Sequence, residues 1–459
     1  MKNCYLLLVI FLFFFSVLNS ATWIRYYGGD GEDVGYCVAQ DLDGYYIVVG
    51  YTNSYGMGNK DIYVLKIDSL GDTIWTKTYG TSGDDIAYDL EITAINDYVI
   101  CGQVNSGPCY VMKIDTGGNL IWDKTYSAFP KATSIISTFD NCFVIAGNGL
   151  LVKVDSMGDT LWSYYDNQPY PWWFDKCTVD ETIDSCYLTT QGDDSNGLII
   201  VNKFNRFGYL LDSFYIGYLS YYKCPIIALD DKGFIITGTT DQMMVSPAFV
   251  IRCDSLGNII WGGYEDLNKS FLNPLPDHVD HYTDITLNYN NNIVGCGFNT
   301  NYSYLWDSYI FEIQYDSGSG LWSRSFGGGI VFYSIHVTND KGYITCGYAP
   351  YQQEKNIILM KTDSLGYNAM EEPGITINEP NINTINFNQI SNTFNIDLST
   401  NTNLHLKIYD INGRIISSFH EGLLSSDQHQ IPFTSAPGVY FFSLETDTDV
   451  FKGKFTVIR

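Results

Sequence analysis

The chain is poor in positive charge. Its 459 residues carry 25 lysines and arginines against 51 aspartates and glutamates, a formal net charge of −26. Such a surface repels phosphate backbones and anionic headgroups, which excludes nucleic acid and charged bilayers as favoured partners. Long apolar runs are scarce too. Only Leu6–Phe15 is unbroken, short of the roughly 20 residues a membrane-spanning helix needs, so no transmembrane segment is expected in the mature chain. Histidine is rare, with His278, His281 and His336 alone before residue 370, and none lies in a nucleophile motif. Helical periodicity is missing, which excludes helical repeat arrays. The acidic charge is spread rather than gathered in a tail. With hydrophobics at 45%, 37 Tyr and 26 Phe, the chain has core enough for a folded β-protein.

The first residues, "MKNCYLLLVIFLFFFSVLNSATW", place a lysine before the apolar run and small or polar residues after it. That is the layout of a secretory signal peptide, here residues 1–20. Cys4 precedes the run, which argues against lipoprotein processing. Export makes disulfides permissible for the other ten cysteines. Cys101/Cys109 and Cys177/Cys186 are close enough in sequence to face one another across hairpins, although pairing cannot be read from spacing. Cys101, Cys296 and Cys346 each precede a glycine where Val49, Ala146 and Thr237 stand elsewhere, a pattern that reads as a small buried side chain.

One motif recurs: "KIDSLGDTIW" from Lys66, "KIDTGGNLIW" from Lys113, "KVDSMGDTLW" from Lys153, "RCDSLGNIIW" from Arg252. Its tryptophan slot falls at Trp23, Trp75, Trp122, Trp162, Asp212, Trp261, Trp322 and Met370, about every 50 residues. Short strands at that period indicate propeller blades. Each unit reads as four strands, the second ending on glycine, the third carrying the lysine and the fourth the tryptophan. In "DSLG" the aspartate can bond forward as an Asx turn and the glycine supplies positive φ. The tryptophan is expected to fill the wedge between blades. The second-strand glycine is expected to let the next blade approach. Trp23 heads a fourth strand with no first three, while the last unit lacks its own, so the N-terminal strand should close the last blade. The expectation is an all-β, seven-bladed β-propeller over residues 21–370, a linker at 371–375, and a small antiparallel β-sandwich over 376–459.

The final segment resembles the sorting domain of type IX secretion. The likeness rests on "LKIYDINGRII" (Leu406–Ile416), "PGVYFFSLE" (Pro437–Glu445) and "KGKFTVIR" (Lys452–Arg459), with Pro437, Gly438, Val439, Tyr440, Lys452 and Lys454 as motif positions. It implies engagement of the type IX machinery, passage across the outer membrane of a Bacteroidetes-like bacterium, and an extracellular or cell-surface destination. The repeats are similar to secreted bacterial propellers and, distantly, to quinoprotein blades. Quinone-dependent oxidation would need adjacent cysteines, and the chain has no Cys-Cys pair.

Other candidates are weighed against plainer roles. In "DHVDHY", His278 and Asp280 share a strand face, but two ligands make no specific metal site. Asp33 and Asp85 occupy matching positions where calcium is conceivable, and a turn role is favoured. No cofactor is expected. The basic residues Lys66, Lys113, Lys153, Lys203, Arg252 and Lys361 are expected to cover apolar surface and pair with acidic neighbours. Tyr170, Trp172, Trp173 and Phe174 crowd a divergent loop. They are the speculative ligand-binding residues, since exposed rings stack on sugars, with packing the favoured alternative. The functional expectation is a non-catalytic module for binding or adhesion, its partner an extracellular glycan or surface protein. The alternative is a polysaccharide hydrolase or lyase using paired carboxylates at the channel mouth.

Overall fold

The computed structural model describes residues 22–457 apart from 148, 166–176, 194–197, 218–223, 240–247, 263–278, 301–305, 328, 352–353, 368–374 and short stretches of the C-terminal part (380–381, 389–392, 399–401, 410–413, 426–427, 437, 446–449). The signal-peptide residues and Tyr170, Trp172, Trp173, Phe174, His278 and Pro437 lie outside the described residues.

Short strands rich in β-branched and aromatic residues, separated by Asp, Asn and Gly turns, form antiparallel meanders. Blade 1 consists of β2 (Asp33–Gln40), β3 (Tyr46–Thr52), β4 (Asp61–Ile67) and β5 (Thr73–Tyr79) in simple order. Five more meanders follow between Ile86 and Phe326. The seventh sheet takes three strands from Val331–Thr362, and its fourth is β1 (Trp23–Tyr27), with Trp23 opposite Lys361. First strands neighbour one another all round, including blade 7 against blade 1. The result is a closed seven-bladed propeller clasped by its N-terminal strand, which removes the edge that blade 7 would otherwise present.

The repeated motif packs one blade onto the next. Asp68 accepts from the backbone N–H groups of Leu70 and Asp72 at 2.9 Å, and Gly71 has φ +88°. The same glycine makes room for the preceding blade's tryptophan: a Cβ on Gly158 (φ +79°) would lie 2.8 Å from the Trp122 ring. The indole N–H then donates to the neighbouring turn, Trp75 to Thr116 at 3.2 Å and Trp122 to Ser156 at 3.1 Å. Four residues on, Tyr79 and Tyr126 hydroxyls donate to the carbonyls of Gly118 and Gly158. Turn and ring are two halves of one inter-blade joint.

The third-strand bases Lys66, Lys113, Lys153, Arg252 and Lys361 pair as expected. Lys66 meets Asp41 at 2.9 Å and the Tyr98 hydroxyl of the next blade at 2.8 Å, all buried. Lys113–Asp97, Lys153–Asp140, Arg252–Asp231 and Lys361–Asp340 repeat the pair. Blade 6 inverts it: Glu312 takes the slot and accepts from Asn288, Asn292 and the Trp322 indole.

Two expectations are corrected. The second-strand glycine faces its own blade: a Cβ on Gly50 would strike the Val34 carbonyl at 1.9 Å, and one on Gly347 that of Val331 at 1.8 Å. A bulge in the first strand, where the register shifts between Gly35 and Cys37, drives that carbonyl inward. The two hairpin disulfides do not form, and no described cysteine is in one. Cys101 lies opposite Val111 and Cys109 opposite Gln103, a diagonal pair about 7–8 Å apart and beyond bridging reach. Cys177 and Cys186 lie at opposite ends of their hairpin, outside the pairs Val179–Thr189 and Glu181–Tyr187. The cysteines before glycine are buried in the core, as their position indicated.

The C-terminal part forms two four-stranded sheets, one from Ile375–Leu398 and Gln428–Pro432, the other from Thr402–Leu424 and Gly438–Val457. Phe394, Leu406, Ile408 and Phe442 share one core, the face-to-face packing of a β-sandwich. Tyr440 is buried and donates to the Ala436 carbonyl at 2.6 Å. Gly438, Val439, Lys452 and Lys454 lie in the last two strands.

Candidate functional site

Seven copies of one unit make departures from the repeat informative. Aligned on their turns, with one residue fewer before the turn in the unbulged first strands of blades 4 and 5, the first strands share a slot occupied by Tyr36, Tyr88, Thr133, Thr178, Pro225, Thr283 and Tyr333 in blades 1 to 7. The three threonines tie blades together, donating to the carbonyls of Cys177, Cys224 and Phe332 at 2.7–2.8 Å. The tyrosines belong to three consecutive blades, 7, 1 and 2. First strands surround the axis, and these rings meet one another, Tyr36 lying 5.3 Å from Tyr88 and 5.1 Å from Tyr333. Tyr51 and Tyr348 extend the group at 6.1 and 6.0 Å from Tyr36 and Tyr333. Burial pushes the Tyr36 hydroxyl well above its ordinary range, which keeps it a donor.

Three lysines ring this hub. Lys60 sits 4.2 Å over Tyr51, Lys131 5.3 Å over Tyr88 and Lys355 5.1 Å over Tyr348. Glu32 accepts from Lys355 at 2.9 Å and from the Tyr51 hydroxyl at 3.1 Å. The Lys355 hydrogen bond holds the Glu32 carboxyl below its usual range.

A loop joins the hub to an open cleft. Gly28–Glu32 leads from the clasp strand into β2, pinned by Gly29 N–H to Asp33 (2.8 Å) and Gly31 N–H to the Ser54 hydroxyl (2.9 Å). Glu32 is at the hub, on Tyr51 and Lys355. Gly28, Gly29 and Asp30 line an open cleft of about 1010 Å³ between the clasp strand and blade 1. Buried Tyr63 and Leu65 contribute apolar floor, and Arg25 and Lys77 stand at the rim. Tyr26 and Tyr55 also line it and are 48% and 47% exposed. The Tyr55 hydroxyl donates to the Gly28 carbonyl at 3.0 Å, which fixes that ring in advance.

The axial carboxylates have other duties. Asp89, Asp180 and Asp284 accept from the N–H groups of Ile135, Ala228 and Ile335, each on the next blade's first strand, at 2.8–3.1 Å. Burial lifts Asp180 to about 6 and Glu91 to about 7. Asp33 accepts from Gly29 and Ser54, and Asp85 from Asn105 and Thr81, which are turn roles. Asp280 lies in the strand Val279–Leu287. His281 is buried against Phe298, and burial lowers it to about 4. Among the described residues no three His, Cys, Asp or Glu side chains are placed to hold a metal. The sequence reading missed the tyrosine hub. Its signal was legible in "VGYCV", "IAYDL" and "VFYSI", the three copies with tyrosine in the slot.

Residues 388–458 match the secretion system C-terminal sorting domain. The protein is therefore exported by type IX secretion and is extracellular or held at the cell surface. No described helix is long and apolar enough to cross a membrane. None of the curated proteins compared matches the chain. Solved structures with a similar course include a streptogramin B lyase (12% identity, 74% of this chain and 98% of that one, TM-score 0.48). The WD40 domain of Neurospora crassa Pan2 is another (11%, 76% and 99%, 0.48). A third is a Bacteroides caccae protein of unknown function (12%, 63% and 97%, 0.42).

Proposed function

We propose that this exported propeller is a non-catalytic binding module for an extracellular glycan, its ligand lying in the seam cleft and reaching over the Gly28–Glu32 loop toward the tyrosine hub. The cleft itself carries the reading. Half-exposed tyrosines over an apolar floor offer the flat faces that sugar rings stack on, and the charged rim offers partners for hydroxyls. The inner-strand aspartates spend their oxygens holding neighbouring strands, which favours binding over acid–base chemistry. A surface protein is the competing ligand class.

A glycan array probed with the full secreted chain and with a Tyr26→Ala/Tyr55→Ala variant tests this. Saccharide binding by the parent that the variant loses, at unchanged melting temperature, is the expected result. Equal binding by both would remove the cleft from the account, and an empty array would favour a protein ligand.

A further inference from the structure

We infer that the propeller face built by its strand-connecting turns is a second docking surface, whose partner is a protein segment carrying apolar side chains among lysines and arginines. The surface is separate from the glycan cleft. Gly28–Glu32 leads into β2 and the turn Asp41–Tyr45 leaves it, so the cleft loop and this face lie at opposite ends of one strand. The turns between first and second strands crown the innermost strands, and in blades 1 to 4 each holds out one large apolar side chain. These are Leu42, Ile95, Phe139 and Ile183, all more than half exposed and Ile95 the most at 74%. Turn geometry does not ask for them, because blades 5 and 7 place Asp230 and Asn339 where Leu42, Phe139 and Ile183 stand. Single exposed apolar residues are ordinary, whereas four on consecutive blades make a patch of the kind that marks an interaction site.

The turns that carry the patch are tied to one another. Leu42 N–H donates to the Asn96 side chain at 3.0 Å, and the Asn96 amide donates to Asp43 at 2.9 Å. Phe139 N–H donates to Glu181 at 2.8 Å. The patch is therefore set before a partner arrives, which lowers the entropy lost on binding. Charge names the partner. Every first-to-second turn except that of blade 6, and every third-to-fourth turn except that of blade 4, carries at least one aspartate. The bases on these turns are Arg206, Lys232 and Lys341. Third-strand bases answer Asp41, Asp97, Asp140, Asp231 and Asp340. The aspartates of the third-to-fourth turns keep their charge, and hydrogen bonds from Asn119 and Asn258 hold Asp115 and Asp254 below the usual carboxylate range. Nucleic acid and anionic lipid meet repulsion on such a face, as does a second copy of a chain at −26. A neutral apolar partner would cover carboxylates without answering them. A cationic amphipathic segment answers both the apolar tips and the charge around them.

Panning a displayed library of random peptides against the full secreted chain tests this. The enriched peptides are expected to combine lysine or arginine with leucine, isoleucine or aromatic residues. Fluorescence anisotropy of the tightest of them should show binding that weakens at high salt. Phe139→Ser/Ile183→Ser removes two apolar tips and keeps the backbone bond to Glu181. It is expected to lose about tenfold toward that peptide at unchanged melting temperature, while Met57→Ser, in the loop between β3 and β4, changes the affinity by less than about twofold. A library that enriches no cationic amphipathic sequence, or a double variant that binds the selected peptide as tightly as the parent, would overturn the inference. Co-sedimentation with phosphatidylcholine vesicles that the parent shows and the double variant loses would overturn it too, making the tips a membrane contact. Saccharide binding is a separate readout, because the double variant keeps Tyr26 and Tyr55.

Discussion

At the residue scale the joint between blades makes firm predictions. Gly158 sits at φ +79° with the Trp122 ring 2.8 Å from where a Cβ would stand. Gly158→Ala combines left-handed strain with a steric clash and should cost about 2 kcal/mol, seen as a lower denaturant midpoint. Lys66 and Asp41 are both buried. Lys66→Met leaves a carboxylate without its cation and should cost about 3–5 kcal/mol, whereas Lys66→Met/Asp41→Asn should recover much of it. Glu91 gives a pH signature. Burial raises its carboxyl from 4.5 to about 7, so the folded state holds the proton more tightly than the unfolded one. That stabilisation is complete below about pH 4.5 and is lost as pH rises through 7, by up to about 3 kcal/mol. His281 and His336, lowered to about 4 by burial, act oppositely: their stabilisation stands above pH 6.5 and is lost as pH falls through 4. Glu91→Gln should therefore flatten the decline between pH 5 and 8 while keeping the acid-side loss, as read from denaturant midpoints. The turn aspartates and glycines were legible because local geometry demands those residue types. The second glycine was misassigned because a bulge, invisible in spacing, decides which backbone presses on it.

At the element scale the clasp is the critical piece. Trp23 to Tyr27 covers the edge strand that runs to Lys361. A chain lacking residues 22–28 should expose that edge, lose cooperative unfolding and associate, visible as a rising hydrodynamic radius with concentration. The clasp was readable because the tryptophan count begins and ends on incomplete units. Blades 4 and 5 were harder: their first strands, Val179–Glu181 and Ile226–Ala228, are three residues long and carry no bulge. The disulfide expectation failed at this scale, because a hairpin's closeness in sequence says nothing of register.

At the scale of the whole molecule, charge and export agree: an acidic, clasped propeller is sent outside the cell by its C-terminal sandwich. The repeat announced the architecture, yet the site lies where the repeat is broken. Tyr26 belongs to the clasp strand, Tyr36 and Tyr55 to blade 1 and Tyr333 to blade 7, and only ring closure brings the clasp strand, blade 1 and blade 7 to one surface. No local pattern could announce that. Hydrogen–deuterium exchange of the full secreted chain, with and without the saccharide that binds it, locates the ligand directly. Protection gathered in Tyr26–Glu32, Thr52–Asp61 and Thr73–Thr78 is the predicted result. Protection confined to the turns that carry Gly71, Gly118 and Gly158, with the seam unchanged, would contradict it.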